Sequence, residues 1–461
     1  MLTAQDVRAT VAARLGLIVV SLLYAAGIHF AFVNYLGTVH EYWGFVYSEP
    51  DTAEVLFMAA LVMIAASALP SMLTRPSTII LLLLFVTVFI PTTVISLCLA
   101  TDNIPKYGTG LAMLCAAFVI ASAFSRLSER TGTTSGGLPG ELFCRVMLLA
   151  WLGAFAILVY SYRSTMAFVS LGDVYEQRAI GASTSLAMGY LQTYFINVVS
   201  SSLLAIGLIQ RRATLVAVGV AGCVLLYMIN AQRTVFLLPV AVFALYVLLK
   251  FPPPILRTTA FPILGLTIAV VLSVVFHEDS SVASVLSTFL VNRMLAIPGL
   301  TFSHYYDVFG TEGFTWWSHV KGIDLLVAAP RSFASDPLWP GLGYIVGDRI
   351  YGDPLHNFNA NLFSGDGVAA AGAFGVLVIG WVLGIWLLLL DSAAVRWNRN
   401  FAMLVTLPVA LALTNGHLFT TMLSFGGLFW LLFFTFFRPT GEGPAPGSRA
   451  VSYPKPLPPQ R

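Results

Sequence analysis

Long apolar runs recur along this chain and restrict what it can fold into. A helix needs about 20 apolar residues to cross the hydrocarbon core of a bilayer. Charged residues make up only 10% of the 461 residues and hydrophobic residues 58%, whereas soluble domains carry about 25% charged residues. The sequence therefore predicts an all-α polytopic membrane protein with about twelve spans. Their predicted centres are near Val20, Leu61, Leu84, Ala116, Leu152, Val198, Val218, Val242, Leu266, Val378, Leu407 and Leu428.

The distribution of Lys and Arg predicts the orientation, because cytoplasmic loops retain positive residues. Twelve spans put both termini on one side, and a cytoplasmic placement leaves only eight of the 24 Lys and Arg residues outside. Most of the 21 acidic residues fall outside as well. The outer arginines are therefore expected to be paired or to line a basic pocket. The eight outer basic residues are Lys106, Arg163, Arg178, Arg233, Arg293, Lys321, Arg331 and Arg349.

The predicted organisation is one transmembrane domain, residues 1–437, followed by a Pro-rich cytoplasmic tail, residues 438–461, that is expected to be disordered. The first apolar run, Leu15 to Leu36, is too long for a signal-peptide core and indicates an uncleaved span. All four cysteines fall in or beside predicted spans, so we expect no disulfide and no metal site. The net charge of +3 sums two opposite faces and implies no nucleic-acid partner.

Two outer loops, residues 162–188 and 277–366, are the longest polar segments. In the second, apolar residues from Val282 to Met294 recur at helical spacing, which predicts an amphipathic helix on the membrane surface. Trp316, Trp317 and Trp339 follow, and tryptophan is enriched at membrane interfaces. The loop is therefore expected to lie along the membrane. Holding ionisable groups against the membrane costs free energy, so their presence in this loop indicates function.

Two motifs carry a resemblance to a known family. NAQRTVFLLP opens a span at its predicted outer end, and HNFNANLFSGDGVAAAGAFGVLVIGWVLG closes the long loop. Together with the many spans, they resemble bacterial oligosaccharide repeat-unit polymerases of the Wzy type, relatives of the O-antigen ligases. The resemblance implies a GT-C-like, metal-independent glycosyltransferase with no cofactor. Such an enzyme joins undecaprenyl-diphosphate-linked oligosaccharides on the outer face of the bacterial cytoplasmic membrane, among membrane lipids. A chain-length regulator and a flippase are the implied protein partners.

Arg233 and His356 are the first candidates for this chemistry. A diphosphate leaving group gains negative charge, and arginine matches phosphate oxygens with a bidentate fork. Arg233 lies at the predicted outer mouth of a span, where an interfacial anchor is the alternative interpretation. His356 can exchange a proton near neutral pH and could act as the base. Asp353 and Asp366 are alternative bases.

Further outer residues are candidates for substrate binding. Asn357, Asn359 and Asn361 flank His356 and suit sugar hydroxyls. Arg163 and Arg178 could instead pair with Asp173 or Glu176, and Arg293 could meet either phosphate or lipid headgroups. The full candidate set for substrate binding is Arg163, Tyr175, Arg178, Arg293, Arg331, Arg349, Asn357, Asn359 and Asn361.

Two alternative functions stay open at the level of sequence. A ligase would perform the same transfer to another acceptor, either lipid A core or protein. A secondary transporter with twelve spans is the second alternative, although such proteins place ionisable residues or broken helices near the bilayer midplane, and few charges fall in the middle of the predicted spans.

The predicted orientation can be tested by cysteine labelling of intact cells with a membrane-impermeant reagent. Ser335→Cys should be labelled because the long loop is outside, and Arg449→Cys should be labelled only after permeabilisation. The four natural cysteines provide the background, measured in the parent protein. Labelling of position 449 but not of position 335 in intact cells would reverse the orientation.

Overall fold

The computed structural model describes residues 4–128, 136–169, 185–250 and 258–440, with side chains from residue 11. Across these residues the chain is helical, and its β-type pairings are isolated bridges such as Met72 with Thr258. Backbone N–H and C=O groups find no partners in lipid, which restricts membrane-spanning segments to helices or closed barrels. The predicted all-α class is confirmed. The last predicted segment, residues 438–461, lies outside the described residues except for 438–440.

Sixteen helices are numbered here in chain order. They are α1 (Ala4–Ala31, continued to Val39 through a π-helical turn), α2 (Thr52–Ala68), α3 (Pro76–Ser96), α4 (Asn103–Leu127), α5 (Glu141–Tyr162), α6 (Leu186–Gln210), α7 (Ala213–Asn230), α8 (Arg233–Lys250), α9 (Ala260–Val275), α10 (Ser281–Glu312), α11 (Arg331–Ala334), α12 (Leu342–Tyr351), α13 (Ser364–Ala394), α14 (Arg399–Thr414), α15 (Leu418–Ser424) and α16 (Gly427–Phe436).

Among the described residues, nine helices are long and apolar enough to cross a membrane, or ten if the bent pair α15 and α16 counts as one span. The two halves of that pair meet at 55°. Three shorter apolar helices, α2, α9 and α14, add to these. Each predicted centre falls on a helix of this set, while the exact number of spans stays a prediction.

Hydrogen bonds between loops show which loops lie at the same end of the helix bundle. At the first end, Thr259 donates its backbone N–H to the Ser71 carbonyl, and Asn398 donates to Gly137. At the second end, Ser48 donates to the Cys98 carbonyl. We call the first the basic end, after the arginines that lie there. We call the second the loop end, because it also carries the segment from α10 to α12. Each of these hydrogen bonds joins two loops that the predicted topology also puts on one side. Which end faces the cytoplasm stays a prediction.

Helix α10 is long and apolar enough to cross a membrane, and at the loop end it contacts three other spans. The Tyr35 hydroxyl, at the end of the first span, bonds to Thr288 at 3.0 Å. Ser303 bonds to Ser96, the last residue of α3, at 2.9 Å. Lys106, in the first turn of α4, pairs with Asp307 at 2.6 Å. Parts of α10 thus meet the same-side ends of three spans, and Gly299 of this helix packs against Pro91 and Ile95 within α3.

The helix expected near Val282 to Met294 is therefore present but longer than its pattern indicated. Pro298 and Gly299 follow that pattern and normally end a helix. A π-helical stretch, Ser287–Ala296, ends two residues before Pro298. In α3, a π-helical turn likewise precedes Pro91. The wider turn accommodates the hydrogen bond that proline removes, so both helices continue.

Small residues allow α4 and α13 to pack closely. A Cβ on Gly380 would overlap Ala117, and one on Gly384 would meet Ala121 at 3.2 Å. The two glycines are four residues apart in α13 and the two alanines are four residues apart in α4, which puts the small residues on one face of each helix. Membrane helices gain little from apolar burial against lipid, so close backbone contact of this kind supplies much of their packing energy.

Arginines at the basic end satisfy the carbonyls that finish α2. Arg14 donates to the Ser67 carbonyl at 2.6 Å, and Arg126 donates to the Ala68 carbonyl at 2.5 Å. The last four carbonyls of a helix have no partners within it and carry partial negative charge. At the same end, the carboxylate of Asp391 accepts hydrogen bonds from the backbone and hydroxyl of Ser77.

The crossing of α4 and α13 should be intolerant of larger side chains. Gly380→Leu is expected to lower the free energy of unfolding by about 1–3 kcal/mol, because the added atoms overlap Ala117. Gly153→Leu is the matched control, since nothing lies within 4 Å of a Cβ at that position. Thermal unfolding of both variants in detergent provides the comparison. Equal midpoints for the two variants would contradict the close packing.

Candidate functional site

The start of α13 is broken and carries the end of the long-loop motif. It begins in a π-helical turn, Ser364–Val368, and leaves helical geometry at Ala371 and Gly372. Gly372 has φ 59° and ψ −140°, a conformation that side chains disfavour. The Phe314 ring packs over it, 2.9 Å from where a Cβ would lie. The first turn of α13 is thus separated from the rest of the helix.

A loop from the end of α10 binds this first turn. Thr315 and Trp316 donate their backbone N–H groups to the carbonyls of Ala369 and Ala370, at 2.8 and 2.9 Å. Trp316 and Trp317 have φ values of 50° and 61°. Such values cost bulky residues on the order of 1–3 kcal/mol each and cluster at functional sites. Trp316 is exposed, as expected of an interfacial aromatic residue, while the Trp317 indole donates to the Asp366 carbonyl at 2.8 Å.

This loop brings His319 to Asp366. The Asp366 side chain is 1% exposed, and one carboxylate oxygen lies 3.5 Å from Nε2 of His319. The other accepts the backbone N–H of Phe419, the second residue of α15, at 3.0 Å. Nδ1 of His319 bonds to the Thr315 hydroxyl at 2.9 Å. Both ring nitrogens of His319 are therefore engaged, which fixes the imidazole against the carboxylate.

His417 completes what we call the Asp366 cluster: Thr315, His319, Asp366 and His417. Its ring centroid is 6.4 Å from that of His319, and its buried Nε2 has no hydrogen-bond partner among the described residues. A Cβ on Gly365 would overlap this nitrogen. Burial lowers the pKa of His417, which the Asp366 carboxylate partly offsets and His319 reinforces. The cluster thus joins a buried carboxylate to two imidazoles.

A second cluster lies in a more open part of the loop end. We call Trp43, Arg293, Tyr351, His356 and Phe358 the His356 cluster. The Arg293 guanidinium lies 5.2 Å from the Trp43 ring centroid, and the His356 ring lies 5.0 Å from the same indole. Trp43, Arg293 and His356 are all half-buried, so the cluster is accessible. A cation, an aromatic face and a titratable nitrogen share one surface.

Aromatic packing holds His356 in position. Its ring lies 4.7 Å from Phe358 and 5.6 Å from Tyr351, centroid to centroid. The Tyr351 hydroxyl donates to the Trp43 carbonyl at 2.6 Å and also contacts His304 at 3.0 Å. Burial lowers the pKa of His356; the Asp353 carboxylate raises it and the Arg293 guanidinium lowers it. The net direction is downward, which favours the neutral imidazole and hence a proton acceptor.

Two of the predicted asparagines lie beside this cluster and the third does not. The side-chain oxygens of Asn357 and Asn359 both lie against Gly343 in α12. Asn361 is fully buried with φ 100°. Its amide donates to Thr92 and to the Pro298 carbonyl and accepts from the backbone of Phe363. Asn361 thus ties the end of the long loop to α3 and α10, with its hydrogen-bonding groups engaged inside the protein.

Asp353 and Asp366, the alternative bases to His356, lie in different environments. Asp353 is exposed, and its carboxylate accepts the backbone N–H of Leu355 at 2.9 Å, as a turn residue does. Asp366 is buried in the other cluster. The structure thus places Asp353 next to His356 and separates Asp366 from both.

The predicted arginines are dispersed over the loop end. Arg349 forms ion pairs with Glu312, Asp336 and Asp348 at 2.7–2.9 Å, which matches the expectation that outer arginines are paired. Arg331 is exposed at the start of α11. Arg163 lies 4.7 Å from the Tyr160 ring. Arg178 and Tyr175 lie outside the described residues.

Arg233 begins α8, whose neighbours are α6, α7 and α14. His356 instead packs against Trp43, in the segment between α1 and α2. The arginine that the structure brings beside His356 is Arg293. Within the described part of the chain, no group of three or more His, Cys, Asp or Glu could hold a metal ion.

Sequence reasoning assigned no role to His319, His417 or Trp43. His319 was visible only as one polar residue of the long loop. A signal for His417 exists in the sequence: Asn415, Gly416 and His417 interrupt an apolar stretch between two predicted spans. Trp43 has no comparable signal, because its partners come from α10 and from the residues after α12.

No family model, curated protein or solved structure matches this chain. The two clusters are therefore interpreted from their own geometry.

The contact between Gly365 and His417 can be tested by a double-mutant cycle. Gly365→Ala should lower the free energy of unfolding by about 1–3 kcal/mol, because the new methyl group overlaps the imidazole. His417→Ala removes the ring, so the double variant should be no less stable than His417→Ala alone. Thermal or denaturant unfolding in detergent measures all three variants. Additive losses would show that the two residues are not in contact.

Proposed function

We propose that this protein is a metal-independent membrane glycosyltransferase that polymerises undecaprenyl-diphosphate-linked oligosaccharide repeat units. The reaction would occur on the outer face of the bacterial cytoplasmic membrane, with both termini in the cytoplasm. The observation that carries the proposal is the His356 cluster, where Arg293, Trp43 and His356 meet on the half-buried surface of α10. A chain-length regulator and a flippase are part of the same proposal as protein partners.

The cluster suits the bonds that must change. His356 takes the proton of the acceptor hydroxyl, whose oxygen attacks the anomeric carbon of the donor sugar. The bond from that carbon to the lipid diphosphate breaks, and the diphosphate leaves with the electron pair. Arg293 stabilises the new charge by donating to phosphate oxygens. Asn357 and Asn359, whose side-chain oxygens lie against Gly343, would offer their amide N–H groups to sugar hydroxyls.

Two arginines remain candidates for the diphosphate, and lysine variants distinguish them. A lysine keeps the charge but cannot reproduce a bidentate contact. Arg293 is supported by its position beside His356, and Arg233 by the sequence motif at the mouth of α8. The arginine whose Lys variant loses activity is the one that binds the leaving group.

A secondary transporter is the second candidate function, and a specific observation favours it. The interrupted start of α13 and the bend between α15 and α16 both flank the buried Asp366 cluster. Transporters use discontinuous helices and buried ionisable groups to bind substrates or coupling ions. A ligase would share the proposed chemistry and differ only in its acceptor.

His356→Ala should lower the rate of glycan extension on the order of a hundredfold to ten-thousandfold, because it removes the base. Purified protein and a synthetic undecaprenyl-diphosphate oligosaccharide provide the assay, and donor binding should persist. His277→Ala is the matched control, since its ring bonds to the Val274 carbonyl at the same end of the bundle. Activity of His356→Ala within a few-fold of wild type would transfer the role to Asp353 or Asp366. A wild-type protein that makes no product would favour the transporter.

The pH dependence of this reaction tests the same residue. The base must be neutral, and burial lowers the pKa of His356. The fall of kcat/KM on the acidic side should therefore lie below pH 6.5, the ordinary pKa of histidine. Asp353→Asn removes a carboxylate that raises this pKa, so the fall should move to still lower pH. A fall that moves upward, or loss of all activity in this variant, would contradict the assignment.

A further inference from the structure

A long apolar groove runs along α7 in the half of the bundle away from the His356 cluster. Its volume is about 1040 Å³, and α5, α6 and α8 supply its other walls. Binding sites for small molecules usually measure about 300–1,000 Å³, so the groove has room for a ligand at the upper end of that range. Its walls are almost entirely apolar.

The α7 wall is a continuous helical stripe of small and apolar residues. Ala213, Ala217, Val220, Val224 and Met228 line the groove at intervals of three or four residues, which places them on one face of the helix. From Ala213 to Met228 the helix rises roughly 22 Å at about 1.5 Å per residue. The groove therefore covers most of the roughly 30 Å hydrocarbon thickness of a bilayer.

Both charged residues that line the groove are cations and lie at its basic end. Arg211 follows the last residue of α6, and Lys250 is the last residue of α8. None of the described residues that line the groove is acidic. The Lys250 ammonium lies 5.6 Å from the ring centroid of Tyr246, which is also in the groove wall. An occupant with an anionic head and apolar tails matches this distribution.

Arg211 occupies a position that favours glycine. It caps α6 in the left-handed conformation, with φ 56° and ψ 36°. Helices commonly end with glycine in this conformation because a Cβ is unfavourable there. The arginine brings its charge to the mouth of the groove in spite of this preference. Arg211→Gly would therefore remove the charge and also place a residue that favours the left-handed conformation at this position.

We infer that this groove binds an anionic phospholipid of the leaflet at the basic end. Its phosphate contacts Arg211 and Lys250, and its acyl chains lie along α7. Basic residues near a membrane surface attract anionic lipids, and arginine and lysine form strong charge-assisted hydrogen bonds with phosphate oxygens. This site is separate from the proposed glycosyl transfer, which uses the loop end of the bundle.

Native mass spectrometry of the full-length, delipidated protein tests the site with phosphatidylglycerol and phosphatidylcholine as probes. Wild type should retain phosphatidylglycerol preferentially. The double variant Arg211→Gly with Lys250→Gln should lose on the order of tenfold or more in affinity for phosphatidylglycerol, because two phosphate contacts disappear. Arg211→Gly should fold at least as well as wild type, since glycine suits the left-handed position.

Two further variants separate the head contact from the tail contact. Ala217→Phe narrows the groove about one helical turn from its basic end and should reduce bound phosphatidylglycerol with both cations still in place. Arg145→Gln is the matched control, because Arg145 is an exposed cation on α5 whose partner is Glu141 and which does not line the groove. It should bind like wild type. Equal retention of the two lipids by wild type, or unchanged phosphatidylglycerol binding in the double variant, would overturn the inference. A wild-type dimer that excludes lipid would assign the groove to a second copy of the chain.

Discussion

The loop end of this protein depends on the contacts of α10 with the ends of three spans. Its contacts with Tyr35, Ser96 and Lys106 hold a largely buried helix against these ends. Arg293 reaches Trp43 from this helix, and His304 meets Tyr351. The loop that carries His319 begins where the helix ends. Both polar clusters therefore derive their positions from one helix.

The two clusters use the same residue types in different environments. In the His356 cluster the imidazole is half-buried beside an arginine, where water and a large substrate can reach it. In the Asp366 cluster the carboxylate and His319 are almost completely buried, and charges inside a protein of low dielectric interact strongly with one another. The first environment suits exchange with a ligand in solution. The second suits a fixed internal network in which hydrogen bonds hold Asp366 and His319 in place.

Much of the fold could be predicted from the sequence, because apolar composition and span length are local properties. The predicted surface helix was recognisable up to Met294, but its continuation past Pro298 depends on a π-helical stretch, which no residue pattern specifies. Arg349 was expected to be paired or to line a basic pocket, and it is paired, although its three partners come from α10, α12 and the loop between α11 and α12. His417 and Asp366 are 51 positions apart, and only the packing of α15 against the start of α13 brings them together. Asn361 looked like part of a sugar-binding motif because burial cannot be read from residue type.

The break at Gly372 has a mechanical consequence. A continuous helix transmits displacement along its axis, whereas a non-helical residue near its end uncouples the terminal turn. The turn that carries Asp366 is bonded through Ala369 and Ala370 to the loop after α10, and α13 below the break is packed tightly on α4. The position of the Asp366 carboxylate is therefore set by more than the axis of α13. The loop after α10 holds this turn through Ala369 and Ala370, α15 holds the carboxylate through Phe419, and Gly375 beyond the break packs against Gly367.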